Sequence, residues 1–230
     1  MVKGEGYILD LGLMDYGEAL GLQHHLWAKR VAEELPNILM ILEHPHVITV
    51  GRRGDLSHLL VSFEVLRSLG ISVYHVERGG DITYHGPGQL IVYPILDLKE
   101  YGYRVAKYIE ELEEILIRVL KDFGVEGRRD SINRGVWVNG DKIASIGVAI
   151  KRRVSFHGIA LNYSTDLRYF ELIHPCGLEG RKMISLEKII GKEISKDYLK
   201  ERLIYHFKEI LGGQWVKKKL EDIKCRNPLG

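Results

Sequence analysis

The sequence predicts a mixed α/β domain, α+β in character, with a largely antiparallel sheet flanked by helices. Three observations predict it. Strand-like runs outnumber helical ones, several neighbouring runs are joined by turns too short for a helical crossover, and no internal repeat or low-complexity linker divides the chain. A doubly wound parallel sheet would need those crossovers. At 230 residues the chain suits one large domain, and a chain of this size buries roughly 70–75% of its unfolded surface without a disulfide or metal staple. We expect that domain over residues 1–212, with a charged tail over 213–230.

The elements follow in order. Gly6–Leu11 alternates as a first strand. Tyr16–Leu35 carries Ala19, Leu20, Leu26, Val31, Ala32 and Leu35 at helical spacing, and Pro36 stops it. Ile38–Leu42 and Val47–Val50 read as short strands, Phe63–Leu69 as a short helix closed by Gly70, and Ile71–Val76 and Leu90–Leu96 as buried strands. Val105–Phe123 is the strongest helix: Val105, Ile109, Leu112, Leu116, Leu120 and Phe123 recur at three- and four-residue steps, with acids toward the N-terminal half. Gly135–Val138, Lys142–Ile150 and Val154–Leu161 are strand-like, and Lys151-Arg152-Arg153 reads as the charged hairpin turn between the last two. Ile184–Ile190 and Ser195–Leu211 read as helices, with Ser195 as N-cap of the second.

Composition narrows the function. Lys and Arg number 33 against 31 Asp and Glu, and this near balance lacks the basic excess of a dedicated nucleic-acid binder. No apolar run approaches the roughly 20 residues of a membrane span, and Met1–Gly12 has no apolar signal-peptide core. The two cysteines, Cys176 and Cys225, form no disulfide framework and no Cys-x-x-Cys pair, so a cytoplasmic protein with reduced thiols is expected.

The least ordinary stretch is Arg78–Gln89, R-G-G-D-I-T-Y-H-G-P-G-Q, with four glycines in twelve residues. Backbone this bare between buried strands lets something lie against it. It is no phosphate loop, because Pro87 stands where an amide donor is needed and no Gly-Lys-Ser/Thr follows. Further on, antiparallel pairing about a turn near Lys151–Arg152 sets Ser145–Gly147 beside Phe156–Gly158 and gathers Ala144, Ser145, Gly147, Gly158 and Ala160. Two readings stand there: room for a packing helix, or a surface for a ligand. Cys176, between Pro175 and Gly177, sits in a tight irregular turn, unlike a typical buried cysteine; a nucleophile and a structural thiol both remain open. Cys225 lies in the polar tail and reads as incidental. His24-His25 and His44-x-His46 match no metal-ligand spacing, and no metal is expected. The basic groups Arg52-Arg53, Lys151-Arg152-Arg153 and Arg181-Lys182 read as solvated surface or, gathered on one face, as a dock for an acidic partner.

Taken together, these blocks resemble the lipoyl(octanoyl) transferase family, within the biotin/lipoate protein ligase fold group. The resemblance runs from about Tyr7 to Ile190. Glu43-His44-Pro45 with Gly51-Arg52-Arg53-Gly54 carries it first, then Arg78–Gln89. Gly135-Val136-Trp137 with Lys142–Gly147, His157–Asn162 and Pro175-Cys176-Gly177 complete it. His46 and Ile48 stand where proline and an aromatic would be expected, a departure that bears on the acyl pocket rather than on the chemistry.

The resemblance implies a biotin/lipoate ligase type of catalytic domain and a transfer of octanoyl from acyl carrier protein to a lysine of a lipoyl domain through an acyl-enzyme thioester. The partners implied are acyl carrier protein, the lipoyl domains of 2-oxoacid dehydrogenase acyltransferase subunits and the glycine cleavage H protein, with no nucleic acid and no membrane. No cofactor is implied, the acyl group arriving on the carrier's phosphopantetheine arm. By the same resemblance Cys176 is the nucleophile and Lys142 lowers its pKa. Arg78, Gly79, Gly80, Asp81, Ile82, Thr83, Tyr84 and His85 would line the substrate site with Ser145, Ile146, Gly147, Gly158, Ile159 and Ala160. A free thiol with pKa about 8.5 is only a few per cent thiolate at neutral pH, so a nearby ammonium has a physical use. Two rivals share the fold: an ATP-dependent lipoate or biotin ligase, which needs no cysteine, and a non-catalytic acyl or carrier binder.

Overall fold

The computed structural model describes residues 5–130, 133–174 and 181–223. The first half holds β1 (Glu5–Leu13), α1 (Tyr16–Val31), β2 (Asn37–Glu43), β3 (Val47–Val50), α2 (Phe63–Ser68), β4 (Ser72–His75), β5 (Ile82–His85) and β6 (Gln89–Ile95). After α3 (Val105–Asp122) come β7 (Arg128–Arg129), β8 (Gly135–Val138), β9 (Asp141–Lys151) and β10 (Val154–Asn162). The last elements are α4 (Leu186–Ile190), α5 (Lys196–Leu211) and β11 (Gln214–Lys217). The large sheet has the order β11-β1-β2-β6-β10-β9-β8-β7, and a small sheet has the order β4-β3-β5. In the large sheet only the β11–β1 and β1–β2 pairings are parallel; the others are antiparallel, as expected for a largely antiparallel mixed sheet.

Both faces of the large sheet are covered, which the unbroken apolar run Ile38–Leu42 already requires. Ile38, Met40 and Leu42 pack with Ala19, Leu22 and Leu26 of α1, while Leu39 and Ile41 join the core under α3 and α5. In α3 the buried stripe is Tyr108, Leu112, Ile115, Leu116, Val119 and Leu120; Val105, expected in the stripe, is exposed. Each such side chain removed from water contributes roughly 1.5–3 kcal/mol. Ser195 caps α5 by accepting the Tyr198 N–H, as its place in the sequence suggests. The small sheet has its own core, in which Ile48, Val50 and Tyr84 meet Leu66, Phe170 and Ile173.

The structure amends four expectations. α1 stops at Val31, not at Leu35: Glu33 turns left-handed (φ 59°) and the Glu34 N–H reaches back to Lys29 O, closing the helix before Pro36 can. The glycine-rich run contains a strand, β5, antiparallel to β3. The β9–β10 register is two residues away from the one expected, because the turn residues are Arg152 and Arg153, both at positive φ (49° and 69°). That primed turn sets Lys151 opposite Val154, Gly147 opposite Gly158 and Ser145 opposite Ala160. Finally, residues 214–223 of the expected tail join the fold: β11 covers β1, Trp215 packs in the α3–α5 core, and Ile223 packs in the α1 core.

Candidate active site

A cavity of about 710 Å³ opens between the β9–β10 ribbon and the glycine-rich run, within the roughly 300–1,000 Å³ range of small-molecule sites. One side is Ser145–Val148 and Ile150 of β9 with His157–Ala160 of β10; another is Arg78–Thr83 with His85. Arg52 and Arg53, Val105 and Ile109 of α3, and the group Asn133, Arg134, Lys142 and Met183 add to the lining. Of the residues named from the resemblance that the structure describes, all but one line this cavity. Tyr84 points into the small-sheet core, where its hydroxyl bonds His46 Nδ1 at 2.7 Å and its ring stacks on Tyr169. Strand alternation turns Thr83 and His85 to the cavity and Ile82 and Tyr84 to the small-sheet core, with Ile82 also reaching the cavity at the start of β5.

Arg78 is a buried cation in which every guanidinium nitrogen has an acceptor. Nη2 donates to Thr49 O at 2.7 Å and to Thr49 Oγ1 at 2.8 Å, Nε to Oγ1 at 3.2 Å, and Nη1 to Gly79 O at 3.1 Å. Its stem passes over Gly147, where a Cβ would stand 2.9 Å from Arg78 Cδ. The glycine thus makes room for an arginine rather than for a helix, and it lines the cavity as well. Backbone bonds fix the corner further: Gly79 N–H to Val148 O at 2.9 Å and Arg52 N–H to Arg78 O at 3.0 Å, which seats the Arg52-Arg53 turn at the cavity. Gly158 has a different reason for being bare, since a Cβ there would meet Val92 O of the neighbouring strand at 2.1 Å.

Lys142 is the second buried cation, 7% exposed. Its Nζ donates to Asn133 Oδ1 at 2.6 Å and lies 5.4 Å from the centre of the Trp137 ring. Burial, with Arg78 adding repulsion against the pull of Asp130 and Glu113, brings the ammonium down to about 8. Gly135 clears its path: a Cβ there would meet Ala144 O at 2.3 Å and Lys142 Cε at 2.7 Å. Glu113 is fully buried, accepts the Gly135 N–H at 3.2 Å, and faces Arg129 and Arg134 at 3.4 and 3.7 Å. On the backbone, Lys142 N–H donates to Lys182 O at 2.8 Å and Lys142 O accepts from Ile184 N at 3.0 Å. The strand bearing Lys142 is thereby joined to residues that follow Cys176 closely in sequence.

Tyr16, His85, Tyr93 and His157 give the cavity a polar, uncharged side, with His44 directly behind it. His44 Nδ1 donates to Met14 O at 2.8 Å, so Nε2 accepts from the Tyr93 hydroxyl, also at 2.8 Å. Burial lowers the imidazoles, His44 to about 4, His85 to about 3 and His157 to about 4, and all three are neutral near pH 7. His157 holds φ 54°, a conformation costing a non-glycine residue roughly 1–3 kcal/mol; its N–H is fixed by Gln23 Oε1 at 2.9 Å.

Cys176, Pro175, Gly177 and Cys225 lie outside the described residues. Among those described, no three His, Cys, Asp or Glu side chains form a metal-binding group, and no helix is long and apolar enough to cross a membrane. Sequence reasoning did not single out Asn133, Glu113, Tyr16, Tyr93 or His157 as site residues. Only His157 carried a signal, lying in one of the quoted blocks beside Gly158.

Comparison with known proteins agrees with this geometry. Residues 15–208 match the lipoyl protein ligase A/B catalytic domain family. The chain is 48% identical over 221 residues to an octanoyltransferase of Syntrophobacter fumaroxidans, covering 96% of this chain and 97% of that one. It is 46% identical over 204 residues to an octanoyltransferase of Caldicellulosiruptor bescii, covering 88% and 90%. Among solved structures, a putative lipoate protein ligase from T. acidophilum with bound lipoic acid superposes with a TM-score of 0.73 at 16% identity, covering 95% of this chain and 92% of that one. At that identity the likeness speaks for the fold.

Proposed function

The chain belongs to the lipoyl protein ligase A/B catalytic domain family and is an acyltransferase of the octanoyl-transferring kind that serves protein lipoylation; from that premise we propose that it moves octanoyl from acyl carrier protein to a lysine of a lipoyl domain through a thioester on Cys176. The observation that carries the reading is Lys142, a buried amine on the cavity wall brought down to about 8. A group titrating near working pH can give a proton in one half-reaction and take one in the other.

In the first half-reaction the Cys176 thiolate attacks the octanoyl carbonyl, the carrier C–S bond breaks, and the departing phosphopantetheine sulfur takes a proton from Lys142. In the second, the lysine amine attacks the thioester carbon, Cys176 leaves as thiolate, and Lys142 accepts the amine's proton. One thioester replaces another, so neither ATP nor a cofactor is needed. Ile146, Val148, Ile150 and Ile159 supply apolar surface for the alkyl chain, at about 0.8 kcal/mol per buried methylene. Arg52 and Arg53, exposed beside the cavity, suit an acidic carrier. The partners and the cytoplasmic setting implied by the resemblance are part of the same proposal.

Incubation with octanoyl-carrier thioester and no ATP, followed by mass spectrometry, is expected to give one octanoyl adduct that Cys176→Ala abolishes. A native protein that acquires no adduct sinks the reading. Single-turnover assays on Lys142→Arg divide the two roles: restored acylation with failed amide transfer supports them, and restoration of both steps removes the second.

A further inference from the structure

Two backbone carbonyls, which can only accept, determine the polarity of a hydrogen-bond chain ending at His85. Ile184 O accepts from Asn162 Nδ2 at 3.3 Å, so Asn162 presents Oδ1 to Gln89 Nε2 at 2.8 Å. Tyr84 O accepts from the same Gln89 nitrogen at 3.4 Å, which fixes the amide independently. Gln89 Oε1 must then accept, and its partner at 2.6 Å is His85 Nδ1. His85 is therefore the Nδ1–H tautomer, with the lone pair on Nε2.

That lone pair has no partner among the described residues. The buried side-chain atoms without a hydrogen-bond partner there are Gln23 Nε2, His25 Nε2, Glu113 Oε2 and His157 Nε2. His85 Nε2 is not one of them, so it keeps accessible surface on a residue only 7% exposed that lines the cavity. Tyr16 lies nearly parallel to the ring, at 8°, and helps hold it. The same chain of bonds reaches Lys142, whose carbonyl accepts from Ile184 N. One network thus ties the backbone of the strand that bears Lys142 to an acceptor that will not itself protonate, since burial holds His85 at about 3.

Resting on the acyl-enzyme reading above, we propose that His85 Nε2 accepts a hydrogen bond from the attacking lysine amine and aims its lone pair at the thioester carbon. The C–N bond forms, the C–S bond breaks with its electron pair leaving on the cysteine sulfur, and the amine's proton passes to Lys142. His85 takes none. It is the amine-transfer step that offers the N–H for this acceptor; the leaving sulfur in the acylation step needs a donor instead. Gln89 is the positioning residue that fixes the tautomer.

The test is single-turnover kinetics of the two half-reactions, with octanoyl-pantetheine as acyl donor and a lipoyl domain as acceptor. Asparagine keeps a donor near Nδ1 and lacks the Nε2 acceptor, so His85→Asn is expected to slow amine transfer about 10- to 100-fold, the loss of one hydrogen bond. Acylation should stay within about threefold of native. His85→Gln, with an amide oxygen near the Nε2 position, should recover part of the transfer rate. ¹⁵N spectra of the imidazoles should show His85 as the Nδ1–H tautomer in the native protein and lose that preference in Gln89→Met. An Nε2–H tautomer in the native protein overturns the assignment. So do equal losses in both half-reactions, a loss in acylation alone, or native transfer by His85→Asn. A native protein that takes up no octanoyl removes this assignment together with the reading beneath it.

Discussion

Arg78 and Lys142 are buried to the same degree on the walls of one cavity, and each is admitted by a glycine, yet they are opposite kinds of cation. Arg78 spends its donors on Thr49 and Gly79 and has a guanidinium that keeps its proton under any ordinary condition. Lys142 carries a single amine near the Trp137 ring, placed where protonation can change near neutral pH. The difference teaches that burial alone does not mark a reactive cation. An arginine clamped by Thr49 and Gly79 keeps its proton and holds the corner, whereas a desolvated lysine with a titratable proton is available for proton transfer.

The contrast can be broken in several ways. The largest effect is expected from Lys142→Ala, which should lower overall transfer by about 10³-fold or more, within the range of a lost general acid and base. Its melting temperature should change little, and a stability loss as large as that of an arginine variant would erase the contrast. Arg78→Ala should do the reverse, costing roughly 2–4 kcal/mol in denaturant unfolding because Thr49 O and Oγ1 lose their donors. Arg78→Lys should recover less than half of that, since an ammonium cannot reproduce the fork.

The third test is pH. The folded Lys142 titrates near 8, below its ordinary 10.5, so the unfolded chain binds more protons between those values. Native stability should gain from this site as pH rises through that window. Lys142→Met should therefore be more stable than native below pH 8, by roughly 1–3 kcal/mol, and lose that advantage toward pH 10.5. Arg78 variants should show no such window. On the acid side, His44, His85 and His157 have folded values of about 3 to 4. Their stabilising contribution is present above the unfolded value near 6.5 and should be lost as pH falls toward 4. A melting temperature flat across that range would contradict their buried, neutral state.

The smallest effects come from the glycines. Gly135→Ala should cost more than Gly147→Ala: the first meets backbone Ala144 O at 2.3 Å with φ 133°, while the second meets a side-chain methylene at 2.9 Å. The expected losses are about 3 kcal/mol and about 1 kcal/mol. The first should also reduce activity through Lys142, and equal penalties would mean that both seats are equally rigid.

Much of this was readable beforehand, for reasons that differ by residue. The strands around Ser145 and Gly158 show as strand-like runs on either side of a charged turn, and Lys142 lies in a block that carries the resemblance, so the wall and its amine were both legible. The Thr49 clamp on Arg78 was not, because 29 residues separate the partners and no local pattern links them. Gly135 drew notice as part of a block, while its task of passing the lysine stem depends on a contact across β8 and β9. Strand β5 was hidden because four residues between glycines leave too short a period to detect. The register error came from the turn: Arg152-Arg153 lacks the Asn-Gly chemistry that usually announces a primed hairpin.

The placement of β11 beside β1 has a consequence in time. Trp215 sits on Gly6, with its ring 2.3 Å from where a Cβ would be, and Lys218 N–H bonds Ile8 O at 3.0 Å. During synthesis, at roughly 5–20 residues per second, residues 5–8 of β1 wait for residues 214–217, their partners in β11. For about ten seconds or more their outer row of amides and carbonyls has no native cover. A nascent chain of this protein is thus open to pairing along that row with a neighbour on the same ribosome cluster until β11 has emerged, and a chaperone that shields the row would cover that hazard.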